Sequence, residues 1–426
     1  MLKQIAIREG NGFQSIGIEA DRILFEQKFC DFAEIQDIAG AIERSIESPI
    51  GCPPLKDMLS SSGARSVLLM VDDDTRATPQ HLILPTLVDK LNEYGIPDDR
   101  IRILFCLGTH RRLDPASMER RVGPEIYRRV ECTNLDQKDD AFISFGRTKS
   151  GTPIELSRYA LSFDFKIAIG NIIPHMYAGW AGGAKMVQPG ITSSSTTAET
   201  HLLAAANING ILGNPDNPVR LEMEEIARIA GLDFIVNTVL DTQHRVIGIV
   251  GGDCVKAHRR GVELARPIYT IEYPRKADLV IAGATPSDRD LWQGFKPLNN
   301  CGITVRDGGV LILVISAPEK IAPDHRELEE FGTIGTDQVL ERLRAGAVRD
   351  RVAAATYMAF WNTASRIKVI LVSDGITDED AKQIGIRATD TLKKAYSMAL
   401  DMIGRDDISI GVIPFGADVI PVLANP

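Results

Sequence analysis

The densest chemistry in the chain is Gly170–Ile191, GNIIPHMYAGWAGGAKMVQPGI. It follows the aliphatic run FKIAIG, so it leaves the carboxyl end of a predicted strand, where α/β proteins usually keep their sites. Gly179, Gly182 and Gly183 let the backbone pass close to a ligand and turn N–H groups toward an anion such as phosphate. Lys185 supplies a fixed cation or, with its pKa lowered, a nucleophilic amine. His175 precedes it by ten residues and can carry a proton or bind a metal. A Walker A loop does not fit, because Ala184 stands where GK[ST] needs glycine and Met186 where it needs a magnesium-binding hydroxyl. No GxGxxG follows a strand, so an ordinary dinucleotide site is not expected.

Other candidates fall at matching places. DDDTRATP follows the run SVLLMV and offers Asp73, Asp74 and Arg76. A carboxylate there can bind a ribose or orient an imidazole, and Arg76 can take a substrate carboxylate bidentately. His110, in LGTHRR, follows the run IRILFC. Thr196 and Glu199 read as a capping box opening a helix that carries His201 in its early turns. Three imidazoles, His110, His175 and His201, can make a hydrolytic zinc site, although HExxH is absent. In the C-terminal half, Gln293 and Lys296 of LWQGFK share a face if that segment is helical, and can reach a carboxylate or keto oxygen. Trp361, in FWNTASR, reads first as a core residue.

These residues need a rigid frame. Apolar runs at Ser66–Val71, Ile101–Cys106, Phe165–Ile169, Asp233–Val239, Ala277–Ala282, Val310–Ser316, Ile367–Val372 and Ile408–Val412 alternate with helix-like segments. Strands buried on both faces of a mainly parallel sheet look like this. Thr78-Pro79, Asp114-Pro115 and Asn217-Pro218 read as helix starts, and Gly95, Gly123 and Gly231 as stops. Lys3–Arg8 and Arg22–Phe25 read as strands and Phe32–Ile46 as a helix. The segment ARPIYTIEYPRKAD interrupts the pattern, which suggests an N-terminal domain over 1–270 and a second over 271–426. The expected fold is α/β: two α/β domains with mainly parallel sheets and an active-site cleft between them.

Composition sets the class. The 426 residues carry 48 Lys+Arg against 57 Asp+Glu, a net charge of −9, with 44% hydrophobic residues. That acidic balance argues against general nucleic-acid or anionic-membrane binding. No apolar run approaches a membrane span, the first residues lack a secretory signal, and six scattered cysteines without CxxC suit a reducing cytoplasm.

Taken together, DDDTRATP, LGTHRR, GNIIPHMYAGWAGGAKMVQPGI, the histidine of ETHLL, WQGFK and the tryptophan of FWNTASR resemble the nickel-pincer lactate racemase family, in its order, over residues 71 to 361. The resemblance implies a cofactor made from a nicotinic-acid nucleotide, with nickel held by one carbon and two sulfurs on its pyridinium ring. It implies Lys185 as the residue joined to that cofactor through a thioamide, with Gly182 and Gly183 in the loop around it. His201 would be the protein ligand to nickel, and imidazole suits Ni(II). His110 and His175 would be paired general bases, one on each side of the substrate. Arg76, Gln293 and Lys296 would hold its carboxylate or the oxygen of the intermediate. Asp73 would contact the cofactor's sugar or phosphate side, and Trp361 would pack near His110.

The implied reaction is inversion of a 2-hydroxy acid at Cα by hydride removal through a flat 2-keto acid, which needs bases on two faces. The implied partners are a small 2-hydroxy acid and the host's cofactor-making enzymes, without which purified protein would be apo; nucleic acid and membrane are not expected. Arg112, Met176 and Trp292 depart from the lactate pattern and bear on which acid is the substrate. A zinc-type hydrolase using the three histidines, or a non-catalytic binder of the cofactor or a sugar acid, are the competing classes.

Overall fold

The structure is a computed structural model that describes residues 1–28, 31–138 and 141–424. The chain opens with a hairpin, β1 (Leu2–Glu9) and β2 (Gly12–Glu19), followed by a short strand β3 (Ile23–Glu26). Ile5 and Ile7 alternate inward along β1, and they are buried while their neighbours are exposed.

The first six-stranded sheet uses β4 (Val67–Val71), β5 (Ile101–Phe105), β6 (Glu131–Asn134), β7 (Phe165–Asn171), β8 (Phe234–Leu240) and β9 (Val246–Gly252). Its order is β9-β8-β7-β4-β5-β6, parallel throughout except for the antiparallel β8/β9 pair. The order reverses between β4 and β7, which opens a crevice at their carboxyl ends. Five helices serve the argument here: α1 (Gln80–Glu93) after β4, α2 (Ser194–Ala206), α3 (Pro218–Ile229), α4 (Lys256–Tyr269) and, in the second half, α5 (Leu291–Gly302).

The second sheet uses β10 (Ala277–Gly283), β11 (Val305–Val314), β12 (Lys368–Val372), β13 (Arg387–Thr389) and β14 (Ile410–Ile413). Its order is β13-β12-β11-β10-β14-β3 and every pairing is parallel. Here the order reverses between β10 and β14, and α5 leaves β10 at that point. A further helix, α6 (Arg351–Ala364), packs against α2 of the first half. Both sheets are sandwiched, with separate apolar clusters on each face.

All eight predicted apolar runs become central strands. The N-terminal assignment changes, however. The expectation of one domain over 1–270 fails at its beginning, because β3 pairs with β14 and Ile5, Ile7 and Ile18 pack with Leu279, Ile281 and Ile312. The physical reason is that β14 would otherwise present an open edge, which the N-terminal strand covers. The helix expected at Phe32–Ile46 spans Ile38–Glu47, its N-terminus capped by Asp37, whose carboxylate accepts from Gly40 N–H at 2.9 Å. Thr78 does not cap α1; its hydroxyl turns back to Asp72 and the helix starts after Pro79. The capping box at Thr196 and Glu199 is also displaced. Ser193 caps α2, accepting from Thr196 N–H at 3.2 Å, and Glu199 pairs with Arg351 of α6.

Ile7→Ala is expected to cost about 2–5 kcal/mol, the range for emptying a packed aliphatic site, and denaturant unfolding of the variant measures it. A cost near zero would mean that the N-terminal hairpin is an appendage.

Candidate active site

The two switch-point crevices contribute to one cavity of about 120 Å³. From the first half it takes Asp73 and Arg76 after β4, His110 after β5, His175 after β7, Lys185, and His201 on α2. From the second half it takes Gln293 and Lys296 on α5. Arg76 and Lys296, far apart in sequence, thus line one space. Gln293 and Lys296 do lie on a helix, whose N-cap Asp290 accepts from Gln293 N–H at 2.8 Å.

His110 and Asp73 form a dyad. Nδ1 of His110 donates to Asp73 at 2.6 Å, and the other carboxylate oxygen of Asp73 accepts from Thr75 N–H at 2.9 Å. This fixes the His110 tautomer and leaves Nε2 with its lone pair. Burial opposes ionisation of Asp73, but the His110 ring, Arg76 and the Thr75 hydroxyl outweigh it and hold the carboxyl well below its usual range. Of the two sequence alternatives for Asp73, ribose contact or imidazole orientation, the geometry supplies the second.

The other two histidines are set differently. Nδ1 of His175 accepts from Tyr177 N–H at 3.2 Å, so its neutral ring carries the proton on Nε2. Nδ1 of His201 donates to Thr197 O at 2.8 Å, one helical turn back, which leaves Nε2 as a bare donor of the kind a metal takes. Desolvation, then Lys185, Arg76, Lys296 and His201 together press the His175 pKa well below its ordinary value. Desolvation and Lys185 press His201 to about 3. Both rings are therefore neutral at physiological pH. Tyr177 stands edge-on to His201 at 4.8 Å between ring centres.

Lys185 has no carboxylate within ion-pair distance among the described contacts. Desolvation, then Arg76, with Arg220 and Lys296 adding to them, lowers its pKa to about 7 against the pull of Asp73. At neutral pH much of it is free amine, a nucleophile. Lys296 is lowered as well, by desolvation, while its ion pair with Asp418, just beyond β14, holds it up.

The loop before Lys185 has a short antiparallel pairing, Pro174 with Trp180 and His175 with Gly179, and beyond it is held by side chains. Arg220, fully buried on α3, donates to Trp180 O and to Gly182 O, the latter at 3.2 Å. His258 on α4 donates to Ala181 O at 2.9 Å, and Asn237 accepts from Gly183 N–H at 2.8 Å. The roles expected of the two glycines change accordingly. Gly182 lines the cavity, but Gly183 does not, and its N–H belongs to Asn237. Both have positive φ, and a Cβ on Gly183 would stand 3.1 Å from His258. These glycines seat the loop on its support.

Trp361 is not brought to this cavity. It stacks on Tyr357 of α6 at 5.8 Å and is not among the residues that line the cavity. The tryptophan beside His110 is Trp292, which lines the cavity and lies flat on His325 at 4.0 Å, with His325 Nδ1 donating to Asp350 at 2.7 Å. Sequence reasoning also missed Arg220, His258, Asn237, Asn171 and Asp418. Arg220 and His258 sit in charged helical stretches that read as solvent faces, so no local pattern marks them.

A nickel-pincer nucleotide asks for an amine to tether it, one protein donor to the metal, and no full protein cage. Lys185 as free amine and His201 with a bare Nε2 meet the first two needs. Among the described residues no three His, Cys, Asp or Glu side chains are grouped to hold a metal ion. That suits a metal whose other ligands arrive with the cofactor, and gives a hydrolytic zinc site no ligand set. Among the same residues no helix is long and apolar enough to cross a membrane.

Fold and site together define a two-sheet α/β protein whose cleft gathers a His110–Asp73 pair, two further imidazoles, Arg76 and two lysines. Residues 10–211 match the lactate racemase N-terminal domain and residues 273–421 the lactate racemase C-terminal domain. The chain belongs to the lactate racemase family and is an isomerase of the racemase class. It is 27% identical to the lactate racemase of Thermoanaerobacterium thermosaccharolyticum, covering 89% of each chain. It is 28% identical to that of Lactiplantibacillus plantarum, covering 89% of this chain and 90% of the other. The structure of the T. thermosaccharolyticum lactate racemase apoprotein is similar with TM-score 0.86 at 26% identity, over 99% of this chain and 100% of that one. A Thermotoga maritima crystal structure shares the fold at TM-score 0.71 and 21% identity, over 93% of this chain and 100% of that one.

Lys185 is expected to react with an amine-acylating reagent with a half-maximal rate near pH 7, read by peptide mass spectrometry across a pH series. Surface lysines in the same digest should titrate near their ordinary value of about 10.4. Lys185 titrating with them would contradict the desolvated, cation-flanked environment.

Proposed function

We propose that the chain inverts Cα of a 2-hydroxy acid, with a nickel-pincer nucleotide tethered to Lys185 and its nickel completed by His201. The single observation that carries this reading is the convergence of a lysine lowered to about 7 with His110, His175, Arg76 and Lys296 in one cavity. When bound, the cofactor supplies an acceptor for the substrate's α-hydrogen as hydride.

The protein's own groups do the rest. Arg76 and Lys296 hold the carboxylate, Arg76 through its planar fork and Lys296 as a point charge braced by Asp418. Gln293 donates to the C2 oxygen. Nε2 of His110, freed by the Asp73 bond, takes the hydroxyl proton as the α-hydrogen leaves with its electron pair. The product of that step is a flat 2-keto acid, which the cleft must let turn so that its other face is presented for reduction. His175, on the opposite side, then protonates the C2 oxygen. Without substrate, burial first and then the neighbouring cations keep His175 neutral. The bound carboxylate offsets them and lets the ring take up the proton that it must give. The opposite enantiomer runs the same path in reverse, so the reaction is redox-neutral overall.

The chain's place in a cytoplasmic setting, and its dependence on the host's cofactor-making enzymes, belong to this reading. The test is inversion of a 2-hydroxy acid deuterated at Cα, by protein coexpressed with those enzymes. The inverted product should retain deuterium in ordinary water, since a hydride does not exchange with solvent. Wash-out of deuterium would indicate proton abstraction at Cα and overturn the mechanism. In the same assay His110→Asn and His175→Asn should each lose at least about 10²-fold in both directions, the lower end for losing a general acid–base group.

A further inference from the structure

The reaction cavity adjoins a second, larger chamber of about 620 Å³, and the two share Arg76, Asn171 and Lys296. Asn171 ends β7 and is 1% exposed, yet neither its amide oxygen nor its amide nitrogen has a hydrogen-bond partner. A buried amide with both ends open is costly, and a native protein that keeps one does so where something else completes it. What completes this one must both donate and accept. A pair of adjacent hydroxyls does so, one giving its proton to Oδ1 and the other accepting from Nδ2.

The chamber beyond has the same character. Gln27, Thr75, Thr242, Gln243, Thr285 and Ser287 line it with neutral hydrogen-bonding groups. Its carboxylates, Asp241, Asp288 and Asp418, are matched by Arg8, Arg76 and Lys296, so the lining has no net positive charge to draw a second carboxylate. An apolar tail would leave the amide open. We propose that Asn171 and this chamber form a subsite for the hydroxylated tail of the substrate, making it a 2,3-dihydroxy or longer polyhydroxy acid instead of lactate. The proposal rests on the racemase reading. Arg76 and Lys296 stand at the junction of the two spaces, so a carboxylate held there puts Cα in the small cavity. Cβ lies only one bond further on, at the mouth of the large one.

Lactate and glycerate differ by the C3 hydroxyl alone and are the minimal pair; threonate extends the chain. Inversion by the cofactor-loaded protein should favour glycerate and threonate over lactate at least tenfold in kcat/KM. Asn171→Leu should remove that preference, lowering kcat/KM for glycerate at least tenfold relative to that for lactate. The variant's Tm should hold or rise, because the amide it replaces has no partner in the protein, and the mass of the Lys185 adduct should be unchanged. A wild type that prefers lactate overturns the proposal, as does an equal loss on both acids. Loss of the adduct in the variant would assign the amide to the nucleotide's sugar and overturn the substrate assignment. Calorimetric titration of threonate into the protein needs no turnover. Binding that Asn171→Leu abolishes, with no inversion of any acid, would keep the subsite and overturn the racemase reading.

Discussion

Three basic side chains, Arg76, Lys185 and Lys296, share a buried cleft in which, among the described residues, Asp418 is the one carboxylate in a direct ion pair with any of them. The site depends on this excess of positive charge. Burial and, after it, this charge drive Lys185 toward the free amine and keep His175 neutral, and the cations present a fork and a point charge to a small carboxylate. Asp73, hydrogen-bonded to His110, relieves the excess only in part. A cleft so charged is stable only because the elements around it are rigid and the cost of desolvation is spread over two packed sheets.

That rigidity has a definite origin. Each sheet reverses its strand order once, and the two crevices so created open onto the same space. The lysine loop has only a two-residue strand pair and a single 3-10 turn of its own, so Asn237, Arg220 and His258 satisfy the rest of its backbone from a neighbouring strand and two helices. The halves are further tied by Glu199 of α2 and Arg351 of α6, which join the helix that carries His201 to the second domain.

Much of this was legible from the residues in order. The central strands announced themselves because strands buried on both faces are continuous apolar runs, and residues following them must lie at a sheet's carboxyl edge. That logic places Asp73, Arg76, His110 and His175 correctly at strand exits, and helical spacing places Gln293 beside Lys296. The β1–β3 segment was misplaced because partnership with β14 is a contact between the two ends of the chain, which no local pattern encodes. Arg220, His258 and Asn171 were invisible for a related reason: their importance lies in what they face. A fully buried arginine reads in sequence like any surface one. Trp361 and Trp292 show the same limit, since only the fold decides which indole stands beside His110.

The central claim is that Lys185 is the tether, made reactive by the charge that surrounds it. Intact-protein mass spectrometry of wild type and Lys185→Ala, each coexpressed with the cofactor-making enzymes, tests it most directly. Wild type should carry a covalent adduct of nucleotide mass plus nickel, and Lys185→Ala should fold to the same Tm and carry none. The same adduct on the alanine variant would contradict the account.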